Sequence, residues 1–180
     1  MSAKKTKDER IARSERWELV RAALRSSAAH GFYVFDELIT EEAGMIDFLA
    51  IGPSGACVIV VRDEEGEVTA DEYGTLYLNH RCFKDDPRDQ ASELCDDVDA
   101  KLGSGPKRIQ NIICFTRADL FYLGDNQDVL KGISPVWDLS LAFANAPEEC
   151  SIGEVYEMAS QIRKAYGRPP FVRPAKEDAR

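Results

Sequence analysis

Long apolar runs are missing from this sequence. No segment approaches the ~20 residues needed to cross a bilayer, and the opening "MSAKKTKDER" lacks the apolar core of a secretory signal. The expectation is a cytoplasmic chain with no membrane partner. Paired cysteine motifs are missing too. Cys57, Cys82, Cys95, Cys114 and Cys150 are odd in number and widely spaced, and no CxxC occurs. Neither a zinc site nor a redox pair is signalled. Cys57 and Cys114 lie in apolar, strand-like runs and read as buried structural thiols. Histidine is scarce: His30 and His80 are isolated near turns, with no Cys or carboxylate at ligand spacing.

Positive charge is in deficit. Against 32 Asp and Glu stand 23 Lys and Arg, a net charge of -9. Such a chain binds polyphosphate poorly unless its cations gather on one side. Eight cations do fall early, at Lys4, Lys5, Lys7, Arg10, Arg13, Arg16, Arg21 and Arg25. They form either a weak nucleic-acid patch or, as we prefer, a solvated helix face paired with Glu9, Glu15 and Glu18. The interleaved aromatic and basic residues of a single-strand-binding platform are absent.

What is present fits one domain. The chain has 180 residues, 44% hydrophobic and 31% charged, enough to bury a core. Residues 1–7 are polar and read as a flexible N-terminus. Residues 8–167 form the domain, and 168–180 a Pro-rich polar tail. A helix is expected from Asp8 to Ala29, where Leu19, Val20, Ala23 and Leu24 recur at helical spacing. "FYVFDELI" and "MIDFLAI" read as strands. The turn "GPSG" joins the second to "GACVIVVRD", whose β-branched run suits a buried strand. "RDEEGE" reads as a break. Glu67–Ala70 and "TLYLN" then make a second hairpin around "EYG". Asp86 and Pro87 are the cap and first residue of a helix to Leu102. "RIQNIICFT" is another buried strand, and "SPVWDLS" a short last one. "SIGE" is a capping box opening a final helix to Tyr166. The order implies an α/β or α+β sandwich, with a mixed central sheet flanked by helices.

Four segments carry a resemblance: "SERWELVRAAL", "MIDFLAIGPSGACVIVVRDEEGEV", "YGTLYLNHRCFKDDPRDQ" and "NIICFT". They resemble the NERD (nuclease-related) domain family, which belongs to the PD-(D/E)xK nuclease superfamily with its restriction-endonuclease-like fold. The similarity covers roughly residues 12–118. By resemblance, the family's helix Glu falls on Glu15, its "iD" Asp on Asp47 and its helix Gln on Gln90. Its catalytic Glu and Lys fall on Val60 and Arg62, so those two are replaced.

The replacements bear on the chemistry. The family's Asp and Glu hold a divalent metal, which needs hard oxygen ligands. Val60 has no lone pair. Arg62 keeps a charge but cannot be a base, because its pKa stays above ~12. The expectation is a former metal site in which Arg62 pairs with Asp47 or Glu15. Three readings follow. The first is a degenerate, inactive or impaired domain that acts by binding or as a structural module, with no cofactor. The second is an active Mg2+- or Mn2+-dependent DNA or RNA nuclease, with Asp47 and Glu15 as ligands or a carboxylate supplied by Glu41 or Glu42. The third is a protein–protein interaction or homo-oligomerisation domain without nucleic-acid contact. Asp47 argues for a polar site on its own, since a carboxylate in an apolar strand is costly unless paired or functional.

Overall fold

The structure is a computed structural model and describes residues 15–26, 31–103, 108–122 and 131–169. Helix α1 occupies residues 15–26; the rest of the helix expected from 8 to 29 lies outside the described residues, as do residues 1–7 and 170–180.

The sheet starts as a meander. Strands β1 (Tyr33–Ile39), β2 (Met45–Gly52) and β3 (Gly55–Ala70) pair antiparallel in sequence order. The turn into β3 requires glycine: Gly55 has φ 96°, and a Cβ there would stand 2.2 Å from the Arg108 carbonyl oxygen. Strands β4 (Leu76–Leu78) and β5 (Arg81–Cys82) form a hairpin against the far half of β3. Its two turn residues, Asn79 and His80, are both left-handed, as a two-residue turn that matches strand twist demands. Helix α2 (Pro87–Leu102) then crosses the sheet to β6 (Ile109–Tyr122), which runs parallel to β3, and β7 (Ile133–Pro135) adds parallel to β6.

β3 corrects the expectation of a break at "RDEEGE". It is one strand of 16 residues. β6 accompanies it along both halves, pairing with Arg62 and then with Glu65, Gly66 and Glu67 of the polar stretch. A register shift between Arg62 and Glu65 absorbs the irregularity. Asn79 clamps the second half. Its Oδ1 accepts the Glu67 N–H at 2.9 Å, and its Nδ2 donates to the Glu65 carbonyl at 3.3 Å.

The helices follow their caps. The Asp86 carboxylate accepts the Arg88 N–H at 2.9 Å with Pro87 at the first helical position, and α2 buries Ala91, Leu94, Val98 and Leu102. "SPVWDLS" is only partly strand. After Pro135 the chain makes a 3-10 turn (Val136–Asp138) and helix α3 (Leu139–Ala144). Leu139 and Phe143, four apart, both reach the core, and Phe143 meets Phe32 edge-on with centroids 5.1 Å apart. α4 (Ile152–Ala165) opens on the reciprocal Ser151–Glu154 capping box.

Two cores result, one on each side of the sheet. On one side Trp17, Val20 and Leu24 of α1 and the α3 pair pack on Phe48, Cys57, Ile59 and Cys114. On the other, α2 and α4 pack on Ile46, Leu49, Val58, Val60, Ile113 and Phe115. Burying each such side chain contributes roughly 1.5–3 kcal/mol. The molecule is a mixed α+β sandwich, helices over a mixed sheet.

Candidate functional site

Alternation along β3 decides which residues can meet. Cys57, Ile59 and Val61 face the α1 side; Val58 and Val60 face the α2 side. Asp47 on β2 is turned by a local distortion. The β1–β2 ladder holds at Asp36↔Phe48 and Leu38↔Ile46 but skips the position between, where Glu37 has φ 49°. As a result Ile46 and Leu49, three apart, both face the α2 side.

The β2–β3 ladder stops at Phe48↔Ile59. Beyond it the Asp47 carboxylate takes over, its Oδ2 accepting the Val61 backbone N–H at 2.7 Å. The carboxylate inside an apolar strand thus replaces a lost ladder bond. Asp47 lines a cavity of about 160 Å3 with Arg16, Trp17, Val61 and Asp63, and Arg16 pairs with Asp63 across it. Trp17 roofs the cavity against Phe48, ring centroids 5.2 Å apart.

Arg62 belongs to the other side. Its Nε donates to both Glu64 carboxylate oxygens, at 3.0 and 3.2 Å, and its guanidinium carbon lies 5.8 Å from the centre of the Phe83 ring. The two side chains line an open groove of about 640 Å3 with Arg81, Lys84 and Asp85. Val60 is 1% exposed within the α2-side core. Glu15 is exposed on α1, and Gln90 is exposed on α2.

The expected pairing of Arg62 with Asp47 or Glu15 is therefore corrected. Arg62 pairs with Glu64, because positions 60 and 62 share one face of β3 while Asp47 is rotated to the other. Among the described residues, Arg16 brings a guanidinium to Asp47's cavity. Sequence reasoning also missed Asp63. The available signal was alternation: Asp63 shares a face with Val61, the residue whose N–H Asp47 accepts. Arg16 was named only as part of a charged helix. Nothing local to residue 16 announces a partner 47 positions away. The helix-face expectation also fits Arg21, which pairs with Glu18.

The chemistry open to this arrangement is limited. Asp47 and Asp63 could each offer an oxygen to a hard cation, but Arg16 holds Asp63. Among the described residues no group of three or more His, Cys, Asp and Glu side chains converges as a metal site would require. Four of the thiols, at Cys57, Cys95, Cys114 and Cys150, are poor nucleophiles. All five are free, and burial pushes Cys57, Cys95 and Cys150 up, and Cys114 up to about 12. Thiolate, the reactive form, is suppressed in those four.

No protein-family model, curated protein or solved structure matches the chain. No described helix is long and apolar enough to cross a membrane.

Proposed function

We propose that the chain is a cytoplasmic, nuclease-related module of the NERD type with a dismantled catalytic centre, acting by binding or as a structural partner rather than by cleavage. The order of α1, a three-strand meander, α2 and a strand parallel to β3 is compatible with a PD-(D/E)xK-like core. One observation speaks against catalysis, and it also removes the residue-by-residue carry-over of the family's site: the positions that the resemblance would bring together lie on opposite sides of the sheet. Val60 is packed in apolar core and Arg62 is engaged by Glu64, while Asp47 lies on the α1 side, accepting the Val61 N–H. Hydrolysing a phosphodiester needs a metal held by hard oxygens and an activated water. The residues present do not fit a Mg2+ site built from the family's two carboxylates. Arg62 supplies no base.

A second reading has one specific observation in its favour. Asp47 and Asp63 open into the same cavity, so Asp63 would be the relocated ligand of an active nuclease, once Arg16 moved aside. Incubating the protein with plasmid, single-stranded DNA and RNA in Mg2+ or Mn2+ separates the two. The inactive module leaves all three substrates intact. Cleavage lost in both Asp47→Asn and Asp63→Asn would install the second reading instead.

A further inference from the structure

β1 ends the sheet: among the described residues its one strand partner is β2. A free strand edge offers its backbone groups to any extended chain, including another copy of itself. Here two of those groups are occupied. Arg168, just beyond α4, donates from Nη2 to the Asp36 carbonyl at 2.6 Å and to the Glu37 carbonyl at 3.1 Å. Successive carbonyls of a regular strand point to opposite edges. One nitrogen reaches both because left-handed Glu37 breaks the alternation.

The segment bearing Arg168 is itself tied down. The Arg168 N–H donates to the Arg163 carbonyl at 2.7 Å, and Arg163 Nε donates to the Pro169 carbonyl at 2.5 Å. Beside the occupied carbonyls, Ile39 on β1 is 77% exposed. Asp36 is paired with Arg21 at 2.7 Å.

We infer that Arg168 is a clip that closes the β1 edge, and that without it β1 pairs antiparallel with β1 of a second copy about a two-fold axis. An antiparallel pair of identical strands is self-complementary, which closes the assembly at a dimer. The inference is independent of any catalytic reading. Light scattering over a concentration series tests it on the full chain, with circular dichroism verifying the fold of each variant. Wild type and Arg168→Lys, which retains a donor, stay monomeric. Arg168→Ala shows a concentration-dependent doubling of mass, at least tenfold tighter than any wild-type association. Adding Ile39→Lys, a charge on the opened edge, returns it to monomer. A folded Arg168→Ala with wild-type mass throughout overturns the clip. So does a dimer indifferent to Ile39→Lys, or a wild-type dimer sensitive to it.

Discussion

Asp47 holds a backbone N–H that has run out of ladder. That role explains why a carboxylate is tolerated among Ile46, Phe48 and Leu49 without invoking catalysis. Asp47→Ala leaves the Val61 N–H without this acceptor and costs about 1–3 kcal/mol. Asp47→Asn keeps a carbonyl oxygen in place and costs less than about 1 kcal/mol. Urea unfolding with an unchanged slope measures both; equal losses would contradict the hydrogen-bond account. The sequence made Asp47 visible as an anomaly but could not distinguish a structural acceptor from a metal ligand. That distinction depends on where β2 parts from β3 and on the left-handed Glu37, a residue with no local signature for such a conformation. Arg62 was misread for the same reason. Its face was legible from alternation, but the rotation of Asp47 onto the opposite face was not.

Elements whose ends carry their own chemistry were legible. α2 and α4 follow the Asp86–Pro87 cap and the Ser151–Glu154 box, because a cap is a local bond between near neighbours. The long β3 was not, since "DEEGE" is made strand by its distant neighbour β6 rather than by propensity. α3 was obscured by its length, six residues after a three-residue strand. The α2 cap gives a pH-dependent prediction. The hydrogen bond from the Arg88 side chain leads in holding the Asp86 carboxyl below its ordinary 3.8. A depressed carboxyl adds stability that is complete above 3.8 and fades as pH falls through the folded value. Asp86→Ala therefore loses about 0.5–2 kcal/mol at neutral pH. Its melting temperature converges on that of wild type as pH falls below about 4. A gap undiminished at about pH 2 would contradict the capping role.

Across the whole molecule, the sheet is a partition. Among the described residues two helices cover each side, and the polar groups near the catalytic positions of the resembled family are divided between a cavity under α1 and a groove beside β4 and β5. A net charge of -9 gives no general attraction for polyphosphate. The sandwich class and most of its elements could be read from periodicity and caps. The partition could not, because it arises from long-range strand pairing. Restoring the missing chemistry tests it most directly. Val60→Glu with Arg62→Lys re-creates the family's two side chains. If the sheet separates them from Asp47, the carboxylate introduced at position 60 enters an apolar core without a partner. The double variant then loses about 3 kcal/mol or more, and its lowered melting temperature does not respond to Mn2+. A melting temperature restored by Mn2+, and no longer restored once Asp47→Asn is added, would contradict the account.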